Sequence, residues 1–425
     1  MSEKKNTLLE RLRVSSHYNF YRNALWQYGI QIVKYLLPLI VIPYLTRVLE
    51  PEGYAVYAYV VSFMTFVQVF VEYGFNLSGT RQIVEAKTAH QKNLITGSIM
   101  QARLLLTLFA LLVVVPVALA IPLTRDNFVF TLLFFIGVCL RVSTPDFVFQ
   151  GEEDLRPLTT RYLISKGAST LLTFAFVHSF DDILWVPILD IVSGVIAILW
   201  SFAAMKKRFD LGIARASWRS SLKELKRSGL YCFSNATSAV YTSFSTLFIG
   251  VALTDQSEIA YWSVSMTAIA AMQSLYGPIT TSLYPHLMIN KDVGFAKTIL
   301  FRSAPVLILI IILFAVGAPV VMFVLGGPSY MEGVPILRLL SPLLFFSYYA
   351  SVCGWPVLGA LGKVKEITLT GVVAALFCIG ALLVAGAFGF STMVVICVVR
   401  VVSEALLCVG RVLFCVKFAF QGTRT

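Results

Sequence analysis

Hydrogen-bonding and ionisable side chains recur at helical spacing inside stretches that are otherwise apolar, and groups of these types in lipid suit either a water-filled cavity or contacts between helices. Asn23, Gln27, Gln31 and Lys34 follow at intervals of four, four and three, so they share one helix face, which Pro38 continues. Thr65, Gln68, Glu72 and Asn76 form a second such stripe, and Gln273, Tyr276, Thr280 and Tyr284 a third. Ser234, Asn235, Ser238, Tyr241, Thr242 and Ser245 crowd a fourth stretch. Deeper charges are Arg141, Asp146, Arg161, Lys166, Asp190, Arg338, Arg400 and Glu404. An ionisable group in lipid is costly unless it meets a partner or water, which makes these positions the most informative in the chain. The stripes read either as the lining of a water-filled cavity or as hydrogen bonds between helices. For Lys34 and Glu72 a neighbour's hydroxyl is not enough. Asp146, Arg161 and Lys166 sit toward helix ends, where snorkelling competes with a site framed by Arg161 and Lys166. Arg400 and Glu404, four apart, read as an intrahelical pair.

Bond-making chemistry has no comparable support. There is no GxxxxGK[ST] phosphate loop; His17, His90, His178 and His286 are scattered; and the seven cysteines fall in apolar stretches without CxxC spacing. No metal, cofactor or disulfide framework is expected, and the chain reads as a non-enzyme that binds and changes shape.

The elements that must position these residues follow from composition. Of 425 residues, 58% are hydrophobic and 13% charged, with a mean hydropathy of +0.80, against about 45–50% and 25% in soluble domains. A spanning helix needs roughly 20 apolar residues, and twelve runs supply them: 24–48, 53–78, 96–121, 127–149, 158–180, 183–205, 228–253, 257–288, 298–325, 334–361, 366–388 and 391–417. The expectation is an all-α polytopic membrane protein. Residues 1–22 are basic and lack the apolar core of a removable signal peptide. With both termini in the cytoplasm, all but Arg47, Arg125, Arg338 and Arg400 of the 34 Lys and Arg fall on the cytoplasmic side, as the positive-inside rule requires. The net charge of +12 then reports topology, not affinity for nucleic acid.

The basic connection 206–227 divides an N-lobe, 23–205, from a C-lobe, 228–417, followed by a tail, 418–425. Two six-helix lobes that both start in the cytoplasm would be related by a pseudo-two-fold axis along the membrane normal. Residues 48–58 resemble 252–262, and Tyr73-Gly74 recurs as Tyr276-Gly277.

The run from Pro43 to Tyr54, followed by Glu72 to Arg81, resembles the opening of bacterial lipid-linked oligosaccharide flippases. These are the O-antigen and capsule-type polysaccharide exporters of the multidrug/oligosaccharidyl-lipid/polysaccharide superfamily. Pro145 to Glu153, Gly326 to Tyr330 with Pro335 to Arg338, and Leu358 to Lys363 resemble later parts of the same family. Glu50 and Ala55 stand where that family commonly has Gly, and Phe147 where it often has Trp.

The resemblance implies movement of undecaprenyl-pyrophosphate-linked oligosaccharide units from the cytoplasmic to the periplasmic leaflet of the inner membrane, with membrane lipids, a polysaccharide polymerase and chain-length machinery as partners. A pyrophosphate asks for cations, which Lys34, Arg47, Arg81, Arg161 and Lys166 provide; a glycan asks for polar groups, which Gln27, Gln31, Gln68, Asn76, Asn235, Gln273, Tyr276 and Tyr284 provide. Glu72, Asp146 and Asp190 are candidates for coupling to H+ or Na+. A drug/cation antiporter or a peptidoglycan-precursor flippase of the same superfamily, a membrane scaffold and a glycan polymerase stay open as alternatives.

Overall fold

The computed structural model describes residues 37, 39–253, 255–277, 279–280, 283–284, 287 and 293–420; at 230–231, 233–242 and 419–420 it describes the backbone alone. Gln27, Gln31 and Lys34 therefore lie outside the described residues, and so does the side chain of Asn235. Among the described residues the protein is all-helical, 87% helix, with no strand. In lipid no water can bond a bare backbone group, and a helix satisfies its own.

The helices run as α1 (39–72), α2 (Phe75–Glu85), α3 (Ala89–Ala120), α4 (Phe128–Val142), α5 (Asp146–Gly151), α6 (Arg156–Phe176), α7 (Trp185–Phe209), α8 (Trp218–Ala252), α9 (Ser257–Ser274), α10 (Val293–Val316), α11 (Ala318–Leu325), α12 (Val334–Leu340), α13 (Leu343–Val352), α14 (Val364–Ala387) and α15 (Met393–Cys415). Among the described residues seven helical spans are long and apolar enough to cross a membrane, or eight if a bent pair counts as one. The chain is a multi-pass membrane protein.

Several boundaries differ from the sequence reading. The expected turn at 50–53 is compressed into one residue, Glu50, whose φ of 55° is left-handed. That is the conformation Gly adopts freely and other residues adopt at roughly 1–2 kcal/mol. The expected run 334–361 bends by 46° between its α12 and α13 parts, at Pro342, which has no N–H to give the helix. The basic connection 206–227 is non-helical only over 210–217, because α7 runs to Phe209 and α8 already starts at Trp218. Tyr276-Gly277 does not repeat the backbone of Tyr73-Gly74: Tyr73 and Gly74 have φ of 51° and 75°, whereas Gly277 lies outside the left-handed region.

The chain divides into two compact units. The first holds Val67–Asn235; the second holds Leu39–Phe66 and the described residues from Ala236 onward. Residues 39–66, part of the expected N-lobe 23–205, group with the second unit for a visible reason. Thr46 Oγ1 donates to Leu325 O at 2.6 Å, and Arg47 donates to Phe323 O and Val324 O at 3.1 and 2.9 Å, so both side chains bond carbonyls at the end of α11. The Tyr330 hydroxyl donates to Glu50 O at 3.4 Å.

In the first unit, Phe75, Ile99, Phe147, Phe149, Met205 and Leu211 share one core. The 210–217 strap is fixed onto α3 by Gly212 N–H to Asn93 Oδ1, 2.8 Å, and Ala214 N–H to Asn93 O, 3.2 Å. A Cβ on Gly97 would stand 1.9 Å from the Ala214 carbonyl oxygen, so only glycine lets the strap lie that close. Gly97→Ala should therefore cost about 1–3 kcal/mol, read as a lower melting temperature of the detergent-purified protein, while Gly167→Ala, inside a helix where nothing lies within 4 Å, should not lower it.

Candidate functional site

Ionic contacts gather within the first unit, on α2 to α7. α5 begins at Asp146, directly after Pro145, and α6 turns Arg161 inward. The Arg161 guanidinium grips the Asp146 carboxylate through both Nη atoms, at 2.6 and 3.1 Å, and Nη1 also donates to Ser201 Oγ on α7 at 2.8 Å. This forked, charge-assisted contact is the strong kind, and Arg161 is 8% exposed.

One turn of α7 displays Asp190, 5% exposed, to two cations at once. Arg141 Nη1 at the end of α4 donates to Oδ2, and Lys166 Nζ on α6 donates to Oδ1 at 2.8 Å. A Cβ on Gly137 would lie 2.8 Å from Asp190 Oδ2, so the glycine leaves room for the carboxylate. Arg141 and Lys166 keep 37% and 36% of their side chains exposed. The triad thus has a buried anion, two accessible cations and a net charge of +1.

Arg103 on α3 is a residue that the sequence reading passed over. Only 2% exposed, it donates to Thr144 O at 2.8 Å and to Asn76 Oδ1 at 3.1 Å. Its guanidinium carbon lies 5.9 and 5.5 Å from the ring centres of Phe75 and Phe147, a cation–π cradle, and it attracts Glu72 and Asp146. The signal was available: an Arg eight residues into the apolar run 96–121.

The structure brings together Asp146 with Arg161, Lys166 with Asp190, and Asn76 with Arg103. Other expected site residues are engaged differently. Both Glu72 carboxylate oxygens accept backbone N–H groups at the start of α2, from Gly74 at 3.1 Å and Asn76 at 3.0 Å, so Glu72 caps that helix. Arg47 is spent on carbonyls, as above. Arg81 pairs with Glu85 on the surface at 2.7 Å. The Tyr276 hydroxyl donates to Leu344 O at 2.8 Å while its ring packs edge-on against Tyr348. Gln68 and Tyr284 are exposed and Gln273 is half-buried. Arg400 and Glu404 form the intrahelical pair at 2.8 Å, both nearly buried.

Among the described residues no group of His, Cys, Asp and Glu is arranged to hold a metal. What the arrangement can do is hold an anion: Arg141 and Lys166 present positive charge over a carboxylate that fixes their positions and neutralises only one of them.

The family described as "Polysaccharide biosynthesis protein" matches residues 20–290. The chain is 26% identical over 368 residues to the "Putative O-antigen transporter" of Escherichia coli (strain K12), a match that covers 84% of this chain and 87% of that protein. Its namesake in Shigella dysenteriae is 26% identical over 273 residues, 63% and 67% of the two chains. Among solved structures, the inward-facing conformation of a multidrug resistance MATE family transporter of the MOP superfamily superimposes with a TM-score of 0.73 at 13% identity, covering 95% of this chain and 100% of that one. An outward-facing conformation of such a transporter gives 0.61 at 14% identity, covering 96% and 97%. These likenesses show a MATE-like fold.

Breaking one side of a buried ion pair leaves a bare charge, at a cost of about 3–5 kcal/mol, whereas replacing both sides with apolar groups is often neutral. Asp146→Ala should accordingly lower the melting temperature markedly, and the double replacement Asp146→Leu with Arg161→Met should recover most of the loss in the same measurement.

Proposed function

Because the chain belongs to the polysaccharide biosynthesis protein family, we propose that it flips undecaprenyl-pyrophosphate-linked oligosaccharide repeat units from the cytoplasmic to the periplasmic leaflet of a bacterial inner membrane. The product would serve O-antigen or capsule synthesis. In this reading twelve helices form two six-helix lobes, 23–205 and 228–417, with both termini in the cytoplasm, and the lobes alternate access by rocking. The name carried by the Escherichia coli relative supports the cargo class.

The observation that carries the reading is the Arg141–Asp190–Lys166 triad. A lipid diphosphate needs cations that are held in place yet reachable, and Arg141 and Lys166 meet both conditions. The Arg161 fork is already filled by Asp146 and Ser201. Arg141 thereby joins Lys166 as a candidate contact with pyrophosphate, and Lys34, outside the described residues, remains one. Gln68, Gln273 and Tyr284 keep surface for sugar hydroxyls, and Asn235 and the stripe of Gln27 and Gln31 belong to the same proposal. The antiporter alternative draws on fold likeness alone, and it would want acidic groups facing its cation, where here two cations share one acid. Partnership with the polymerase and chain-length machinery is a further part of the proposal.

Lys166→Gln and Arg141→Gln should each reduce translocation of fluorescent lipid-linked oligosaccharide in proteoliposomes by about tenfold or more, the worth of a charge-assisted contact. Lys166→Arg should keep most of the rate; full rates in both Gln variants would exclude the triad as the pyrophosphate site. Asp190 and Asp146 are the carboxylates through which H+ or Na+ coupling would act. An imposed pH or Na+ gradient should change the wild-type rate, with Asp190→Asn removing the response; a wild-type rate indifferent to both gradients would exclude coupling.

A further inference from the structure

A second place in the first unit gathers two cations near one carboxylate. A cleft of about 160 Å³ lies where α2 packs on the first turns of α8, lined by Ser78, Arg81, Gln82, Glu85 and Arg227. Its floor is held by a 2.6 Å hydrogen bond between the hydroxyls of Ser78 and Ser228 and by Gln82 Nε2 donating to Glu224 Oε2 at 2.5 Å. The Glu224 carboxylate is buried and bonded to Gln82, and it does not itself line the cleft. At the mouth, Arg81 is 71% exposed and pairs with Glu85, itself 54% exposed. Arg227 is exposed, makes no salt bridge among the described residues, and attracts Glu85 from a longer distance.

The volume is well below the ~300–1,000 Å³ of sites for drug-sized ligands, so the occupant is a small group. Two guanidiniums and one carboxylate at the mouth leave a net charge of +1, and the fork of Arg matches phosphate oxygens as well as it matches Glu85. An exposed pair such as Arg81–Glu85 is screened by water and weak, so an incoming dianion can displace the carboxylate at little cost.

We propose that the Arg81–Arg227 cleft binds one phosphate group, with Glu85 standing in for it when the cleft is empty. Both flanking segments belong to the face that the distribution of basic residues puts in the cytoplasm, so the proposal, resting on the flippase reading, makes this the place where a lipid diphosphate is first caught. The same phosphate chemistry is offered by an anionic phospholipid headgroup.

The test is a titration of the full-length detergent-purified protein with inorganic diphosphate, read by thermophoresis. Saturable binding is expected, at least about tenfold weaker in Arg227→Ala and tighter in Glu85→Gln. All three side chains are exposed, so melting temperatures should match wild type and exclude misfolding. Binding unaffected by both substitutions would overturn the site, and so would no binding at all. In nanodiscs, relief of diphosphate binding by polyprenyl diphosphate but not by phosphatidylglycerol supports capture of cargo; relief by phosphatidylglycerol alone overturns that role. If wild-type protein fails to translocate lipid-linked oligosaccharide, the flippase reading falls; if it translocates and Arg227→Ala leaves its dependence on substrate concentration unchanged, only the capture site falls.

Discussion

A charge surrounded by hydrocarbon must find its counter-charge or a hydrogen bond, and the first unit is organised around that requirement. Arg161 reaches Asp146 and Ser201 from a third helix, Arg103 reaches a carbonyl, an amide and two aromatic faces, and Asp190 ties α4, α6 and α7 through two cations. These contacts join elements that are distant in sequence, so they fix helix positions as well as satisfying charge. Small residues make them possible: Gly137 clears the space that the Asp190 carboxylate occupies.

The same requirement governs backbone ends. Wherever a helix stops or breaks near the bilayer, its open carbonyls and N–H groups need partners. Arg47 and Thr46 supply them at α11, Arg338 at Ala315, Arg411 at Ala350, and Glu72 at the start of α2. Three of these, Arg47, Glu72 and Arg338, are charges that a sequence inspection singles out. Their chemistry is real, but it is directed at the chain itself.

Two charge clusters differ from this pattern, because in each a single carboxylate serves two cations that stay partly or largely exposed. Arg141 and Lys166 share Asp190; Arg81 and Arg227 face Glu85. A structural ion pair is closed and balanced, as Arg400–Glu404 is. An accessible cluster with excess positive charge is better suited to exchange its carboxylate for an anionic ligand, and on this difference the proposed binding of a diphosphate rests.

That the chain is helical and embedded in lipid is legible in its residues alone, because apolar runs of spanning length suit helices, which satisfy their own backbone. The sequence also placed the intrahelical pair Arg400–Glu404, since a spacing of four on one helix is a local matter. It ranked Asp146, Arg161, Lys166 and Asp190 as notable, yet it could not say which cation meets which acid. Partner choice depends on how α4, α5, α6 and α7 pack, and no spacing along the chain encodes that. It could not show that residues 39–66 group with the C-terminal part of the chain, because the deciding bonds run to carbonyls about 280 positions away, and a carbonyl has no signature in the sequence. Nor could it separate a charge that caps a helix from one available to a ligand. Only the tertiary structure decides that, since the difference lies in whether the side chain's hydrogen bonds are already taken.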